Sequence, residues 1–148
     1  MHDGKRRLKW QGEDVLAFLR TDFPQAFRDG WDYTVEHLTT RQAIVRLHAH
    51  DSQLRPGGTI AGPTMMHLAD FAFYVLLLAL HGASARLSVT TNLSISFLRK
   101  PVAGDLVARV EMLKHGRTLS VGAVHMEDAE GRVVAHAEAT YHMGAAEW

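Results

Sequence analysis

The sequence predicts an α+β fold in which an antiparallel sheet of about five to six strands wraps around one long central helix. Three observations support this: a continuous apolar segment over residues 62–81, two alternating segments before it and four after it. The chain has 148 residues, of which 47% are hydrophobic, enough for one domain with its own buried core. We therefore expect residues 1–148 to form a single domain.

Composition and charge narrow the possible functions. Sixteen Lys and Arg residues balance sixteen Asp and Glu residues, so we expect no nucleic acid and no membrane among the partners. The chain has no cysteine, which excludes disulfides, thiolate nucleophiles and cysteine-based metal sites. Near the N-terminus, a basic cluster is followed by polar residues where a signal peptide needs an apolar stretch, so we expect a cytoplasmic protein.

The first part of the chain predicts a short helix and a pair of strands. From about residue 12 to residue 24, apolar residues recur at helical spacing, and Pro24 ends the pattern. This segment is a short lead-in helix. Residues 31–38 and 41–50 alternate between apolar and polar and are separated by a tight turn, which predicts two neighbouring, half-buried strands.

The central helix is expected to run from Gly62 to about His81. Pro63 suits the first turn of a helix, and Gly82 is a typical C-terminal stop. The segment is apolar nearly all round, which is the pattern of a helix covered by other structure. Asp70 at its centre makes a membrane span unfavourable by about 2.5–3.5 kcal/mol on insertion scales. A buried helix is therefore the better interpretation.

Four strand-like segments follow the helix. They cover residues 87–98, 105–114, 118–127 and 132–142. Because short turns join them, we expect a meander of neighbouring antiparallel strands. The first segment alternates cleanly, with Leu93 and Ile95 on its apolar face and Thr90 on its polar face.

Asp70 is the chemically unusual residue of the central helix, where it is the only carboxylate. A buried carboxylate without partners is costly, and Asp is a poor helix former. One interpretation is a structural Asp that is hydrogen-bonded or faces solvent. The other is a general base or nucleophile in a cleft lined by Met66, Phe73 and Tyr74, which lie three or four residues away along the helix.

The start of the same helix offers a second catalytic feature. The N–H groups at Gly62 and just after it have no intrahelical acceptor and carry the positive end of the helix dipole, so they can hold a developing oxyanion. Gly62 and Asp70 are eight positions apart, about 12 Å along the axis, too far for both to act on one carbonyl. If both are catalytic, a two-fold partner supplies one of them, which predicts a homodimer with composite sites.

Two stretches carry a resemblance to a known family. They are RPGGTIAGPTMMHLAD, residues 55–70, and VTTNLSISFLRK, residues 89–100. They resemble the hotdog-fold acyl-CoA thioesterases of the phenylacetate-degradation type. The resemblance implies a hotdog fold and hydrolysis of an acyl thioester to a free acid and CoA, with no cofactor apart from the CoA of the substrate.

The resemblance also implies roles for individual residues. Gly62 would donate the oxyanion N–H. Asp70 of the other subunit would attack the thioester or activate water, and a hydroxyl on the following long strand would orient the water or the carboxylate. That hydroxyl falls on Thr90 if no gap is allowed, with Thr91 as the alternative.

Three positions depart from the family pattern. Ala61 stands where the family has a His, Pro63 where it has a second Gly, and Arg55 where a related branch has an Asn. Loss of the His removes one way of polarising the substrate carbonyl, and Arg55 is a candidate to pair with a substrate phosphate or carboxylate. The resemblance further implies that CoA lies along the dimer surface. The candidate basic residues at its phosphates are Arg99, Lys100, Lys114 and Arg117.

Other functions remain open at this stage. His48 and His50 share the polar face of a strand end, and we expect no metal there. A hotdog dehydratase or hydratase would need one of these histidines to pair with Asp70. A non-catalytic acyl-CoA-binding module is the other alternative, which the missing family His favours. The sequence leaves open the acyl group and whether dimers pair into tetramers.

Overall fold

The computed structural model describes residues 7–49, 54–55 and 59–144, with residues 54, 55 and 59 described by their backbone alone. The helices are α1 (Gly12–Asp22) and α2 (Gly62–His81). The strands are β1 (Tyr33–Leu38), β2 (Gln42–Leu47), β3 (Leu54–Arg55), β4 (Thr59–Ile60), β5 (Val89–Phe97), β6 (Leu106–His115), β7 (Leu119–Glu127) and β8 (Val133–His142). Short 3₁₀ turns, Pro24–Gly30 and Gly82–Ala85, follow the two helices.

Six of the strands form one antiparallel sheet in the order β1-β2-β6-β7-β8-β5. β3 and β4 form a separate short hairpin just before α2. α2 lies against this sheet and contacts β2 and β5 to β8. The predicted fold, an antiparallel sheet around one long helix, is confirmed. Within this sheet β1 and β5 are the two edge strands.

α2 forms the centre of the hydrophobic core. Its Leu68 and Leu76 side chains are fully buried. Gly82 follows the last turn with φ of +65°, a conformation that glycine adopts without strain and that ends the helix where predicted. The stretch Gly62–Ala85 is long and apolar enough to cross a membrane, but 72% of its most apolar window is buried inside the fold. Its apolar surface is thus explained by packing against the sheet.

The lead-in helix α1 packs beside α2 and β1. Its first turn is closed by a capping box, in which the Gln11 N–H donates to the Asp14 carboxylate at 2.9 Å. Val15 and Leu19 are buried in the core. The helix ends at Asp22, close to the predicted stop. Its C-terminal end and one side of α2 therefore border the same cleft.

β5 departs from the simple alternation predicted for it. Thr90 pairs with Tyr141 of β8, and Asn92 pairs with Thr140, so Thr91 is an extra residue in a β-bulge. A one-residue insertion turns the residues before it to the opposite face. Since directly paired residues share a face, Thr90 lies on the helix side of the sheet together with Tyr141. The prediction that Thr90 lies on the polar face is wrong for this reason.

Candidate active site

The carboxylate of Asp70 lies between the start of β5 and the end of β8. Its Oδ1 accepts a hydrogen bond from the Thr90 hydroxyl at 2.7 Å and another from the Tyr141 hydroxyl at 2.6 Å. The Tyr141 hydroxyl also lies 3.1 Å from the main-chain carbonyl of Asp70. Within the described part of the chain, no hydrogen bond reaches Oδ2. The carboxylate is therefore held at one oxygen and available at the other.

The structure decides between the two hydroxyls that the sequence left open. The bulge in β5 turns Thr90 toward α2, where it meets Asp70. The Thr91 hydroxyl instead donates to the Thr140 carbonyl at 3.2 Å and is exposed. Thr90 is thus the residue whose side chain reaches the carboxylate.

Tyr141 belongs to this site although sequence reasoning missed it. Its side chain is only 3% exposed. Burial and the nearby charge of Asp70 raise the pKa of Tyr141 well above its usual value, so the hydroxyl keeps its proton and remains a donor. Alternation along β8 marks Tyr141 as inward-facing, and this is the one sequence signal that could have found it. The signal does not show that β8 lies next to β5.

A cleft of about 460 Å³ opens beside the Asp70 carboxylate. Its walls come from α2, from the end of α1 and from the segment that leads into β5. Tyr74 of α2 lines it, and its hydroxyl donates to the Arg86 carbonyl at 2.7 Å. Burial raises the pKa of Tyr74 to about 12, so this hydroxyl also remains protonated at neutral pH. The hydrogen bond ties α2 to the loop that precedes β5.

Of the three residues predicted to line the cleft, Tyr74 does so, whereas Met66 and Phe73 do not. Phe73 is fully buried in the core, and Met66 is 40% exposed elsewhere on the helix. Successive helical residues are about 100° apart. His67 and Tyr74 therefore fall on one side of Asp70, and Met66 and Phe73 fall on the other. A spacing of three or four residues does not distinguish the two sides.

His67 borders the cleft as a neutral group. Its Nε2 lies 2.6 Å from the Tyr33 hydroxyl, which itself donates to the Ala26 carbonyl at 2.7 Å. A hydroxyl has one hydrogen, so the Nε2–H of His67 donates to the Tyr33 oxygen. Burial lowers the pKa of His67 from its ordinary value of 6.5, although the charge of Asp70 opposes this shift. The imidazole is therefore uncharged at neutral pH.

Gly62 lies in a different cleft of the same protomer, of about 430 Å³. Arg99 and Lys100, the residues predicted to meet CoA phosphates, line this cleft together with Phe97 at the end of β5. Among the described residues, none supplies a hydrogen-bond acceptor to the Gly62 N–H. Roughly 12 Å of helix separates this N–H from Asp70, as eight positions at 1.5 Å each require. One protomer thus presents the two predicted catalytic groups in separate clefts.

Of the remaining predicted substrate-binding residues, Arg117 lies away from these two clefts. Arg117 lies between β6 and β7 and borders a third, smaller cleft of about 170 Å³. The side chain of Arg55 lies outside the described residues. The structure therefore brings Arg99 and Lys100 together but places Arg117 apart from them.

His48, one of the two histidines considered for a metal or for dehydratase chemistry, contacts residues other than Asp70. The His48 Nε2 lies 2.7 Å from the Thr34 hydroxyl, and its Nδ1 lies 3.6 Å from Asp105. His50 lies outside the described residues. Across residues 7–49 and 59–144, no group of three His, Cys, Asp or Glu residues is arranged to hold a metal ion.

Comparison with known proteins identifies the family. The family model that matches the chain, over residues 57–135, is that of the thioesterase superfamily. The chain belongs to the thioesterase superfamily. This thioesterase is 38% identical to a proposed thioesterase from Silicibacter sp. TM1040, with a TM-score of 0.81 over 93% of this chain and 94% of that one.

Two more distant proteins are also similar to this thioesterase. A proposed esterase of Saccharolobus solfataricus is 26% identical over 112 residues, which are 76% of this chain and 79% of that protein. A hypothetical thioesterase from Streptococcus pneumoniae, solved with coenzyme A, is 24% identical, with a TM-score of 0.72 over 86% of this chain and 94% of that one. The latter similarity shows the shared fold.

Membership in the superfamily makes the chain an enzyme, a thioester hydrolase. It confirms the resemblance seen in the sequence at the level of the superfamily. The carboxylate of Asp70 is the kind of group that can activate water or attack a thioester carbonyl.

Proposed function

We propose that this thioesterase hydrolyses an acyl-CoA to a free acid and coenzyme A, with Asp70 as general base or nucleophile. The observation that carries the proposal is the Asp70 carboxylate, which two hydroxyls hold at Oδ1 beside a cleft of about 460 Å³. A cavity of this size is in the range of small-molecule sites. The coenzyme A bound to the Streptococcus pneumoniae protein supports a CoA ester as the substrate class.

Asp70 can act by either of two routes. As a base, Oδ2 takes a proton from water, hydroxide adds to the thioester carbonyl carbon, and the C–S bond breaks to release the CoA thiolate, which recovers the proton. As a nucleophile, Oδ2 adds to the carbonyl carbon itself, and the CoA thiolate leaves. Water then hydrolyses the resulting anhydride to the free acid and the Asp70 carboxylate, and the proton that this step releases goes to the thiolate. Both routes develop negative charge on the carbonyl oxygen, and the N–H of Gly62 is our proposed donor to it.

We further propose that this N–H comes from the second subunit of a homodimer. β5 is a sheet edge whose Val89 and Phe97 side chains are 42% and 50% exposed, and such an edge favours pairing with another strand. Thr90 lies near the start of β5, and Gly62 lies beside Phe97 at its end. Antiparallel pairing of two β5 edges would bring the Asp70 of one protomer toward the Gly62 of the other.

The charge around Gly62 supports the same arrangement. Arg99 and Lys100 line the cleft into which Gly62 opens. In a composite site, these two cations would lie next to the Asp70 carboxylate of the other subunit. The CoA portion of the bound substrate would then extend past them out of the site. Guanidinium and ammonium groups are suited to the phosphates of CoA.

Release of free thiol from an acyl-CoA panel tests the activity. We expect Asp70→Asn to lower kcat/KM by about 10²–10⁴-fold while folding is retained. Asp22→Asn is the matched control, because it changes another carboxylate at the same cleft. Equal thiol release by the parent and Asp70→Asn would remove Asp70 from the mechanism. Loss of an enoyl-CoA double bond without free thiol would favour a hydratase or dehydratase, and tight CoA-ester binding without turnover would favour a binding module.

Mixing two inactive variants tests the composite site. Asp70→Asn lacks the carboxylate, and Gly62→Pro lacks the N–H while remaining compatible with the first helical turn. If sites are shared, subunit exchange yields dimers with one intact site, and an equal mixture recovers about a quarter of the parent activity. Gly62→Ala keeps the N–H, and its methyl group would meet the Phe97 ring at 3.5 Å, an ordinary contact. No recovery after verified exchange would exclude the shared site.

A further inference from the structure

Tyr141 is held by several contacts beside the Asp70 carboxylate. Its ring packs edge-on against Phe73, with centroids 5.3 Å apart, and stacks on Tyr74 at 6.1 Å. Its hydroxyl reaches Asp70 Oδ1 at 2.6 Å, and the residue is 3% exposed. The β-sheet register places it directly opposite Thr90. The phenol is therefore held from both sides and aimed at one oxygen.

The number of donors at Oδ1 has a stereochemical consequence. A carboxylate oxygen has two lone pairs. The Thr90 and Tyr141 hydroxyls together occupy both lone pairs of Oδ1. The remaining two lone pairs belong to Oδ2, which no hydrogen bond engages within the described residues. Rotation of the carboxylate plane away from this orientation would break both hydrogen bonds.

We infer that Tyr141 is a positioning residue that, together with Thr90, fixes the orientation of the Asp70 carboxylate, so that the oxygen away from the two hydroxyls, Oδ2 in this structure, is the one that reacts. This inference rests on the proposed role of Asp70 in hydrolysis. Tyr141 itself does not line up as a proton donor to substrate, because its hydroxyl hydrogen is committed to Asp70. Tyr141 contributes by orienting the carboxylate. The reaction is fast only when the reacting oxygen points at its target.

Tyr141→Phe tests the inference, since it removes the hydroxyl and keeps the ring. We expect kcat for acyl-CoA hydrolysis to fall about 10- to 100-fold, the usual range for a hydrogen bond to a charged group, with KM within about twofold of the parent. Tyr33→Phe is a matched control. Tyr33 is also 3% exposed, packs on the same helix through Phe71, and donates to the Ala26 carbonyl instead of to Asp70. The kcat of Tyr33→Phe should stay within about twofold of the parent value.

The decisive measurement repeats Tyr141→Phe in an Asp70→Asn background. A residue that acts through the carboxylate has no further effect on the residual rate once the carboxylate is gone. A residue that merely supports the fold lowers the rate in both backgrounds. Urea unfolding of each variant checks that folding is retained.

Two results would overturn the inference. One is a Tyr141→Phe variant with the parent kcat. The other is an equal loss of kcat in the presence and absence of the Asp70 carboxylate. Failure of the proposed function looks different, because then Asp70→Asn by itself retains the parent turnover.

Discussion

Gly122 of β7 lies against the Phe73 ring, which in turn packs on Tyr141 beside the Asp70 carboxylate. A Cβ added at this glycine would lie 2.9 Å from Cε1 and 3.1 Å from Cζ of Phe73, and 3.2 Å from the Glu111 carbonyl. Phe73 is fully buried, and its ring contacts Tyr141. Neither the ring nor the neighbouring strand can move away freely. Gly122→Ala therefore overpacks the core at a point directly behind Tyr141.

We expect Gly122→Ala to reduce the free energy of unfolding by about 1–3 kcal/mol, the usual cost of an extra methyl group in a packed core. For a chain of this size, each kcal/mol lowers Tm by about 2–4 °C. Urea unfolding at fixed pH measures the first quantity and a thermal scan the second. Because the displaced ring supports Tyr141, kcat should fall as well.

Two variants serve as controls for this prediction. Gly62→Ala adds the same methyl group where the nearest neighbouring atom, Cζ of Phe97, is 3.5 Å away, so the free energy of unfolding should not fall. Phe73→Leu combined with Gly122→Ala removes the ring atoms in closest contact and should recover part of the stability. If Gly122→Ala is as stable as the parent, the packing argument is refuted.

Two further predictions concern the residues around Asp70. Thr90→Val should lower kcat about 10- to 100-fold, because it removes a hydrogen-bond donor to the Asp70 carboxylate. Thr91→Val should leave kcat unchanged, because the Thr91 hydroxyl contacts the Thr140 carbonyl on the exposed side. Steady-state release of thiol measures kcat for both variants. Burial lowers the pKa of His67 from 6.5. Below that pH the unfolded chain therefore takes up a proton that the folded chain does not, and the free energy of unfolding should decrease as the pH is lowered. His67→Gln should reduce the difference in the free energy of unfolding between pH 5.5 and pH 7.5, as measured by urea titration at each pH.

Each of these predictions has an outcome that contradicts it. Equal losses in Thr90→Val and Thr91→Val would show that the bulge does not decide which hydroxyl serves Asp70. For the pH dependence, His125→Gln is the comparison, since His125 is an exposed histidine. An unchanged difference in His67→Gln would mean that other groups cause the loss of stability in acid.

Features with a local cause could be predicted from the sequence. Pro63 and Gly82 act on the turns in which they stand, so the limits of α2 agree with those expected. A carboxylate at the centre of an apolar helix is unusual whichever strands pack around that helix, so the sequence indicates Asp70 as a candidate site residue. The resemblance then supplied the family, which the comparison confirms at the level of the superfamily. The cytoplasmic location and the homodimer stay predictions.

Features that depend on strand pairing could not be predicted in the same way. Alternation placed Thr90 on the polar face because a β-bulge leaves no mark in the apolar pattern of β5 itself. Tyr141 lies far from Asp70 in the chain and reaches it only because β8 pairs with β5. The spacing along the helix predicts Phe73 in the cleft because it shows only that Phe73 lies near Asp70. It does not show which side of the helix packs against the sheet.

The order of residues along the chain was sufficient to predict the helix that carries Asp70 and the long strands around it. Local propensity and hydrophobic burial are encoded residue by residue, so they can be read in order along the chain. Tertiary structure decided which hydroxyls hold Asp70 and which wall of α2 opens to the cleft. Those choices arise from the register of β5 against β8, a contact between distant segments whose geometry exists only once the sheet has formed.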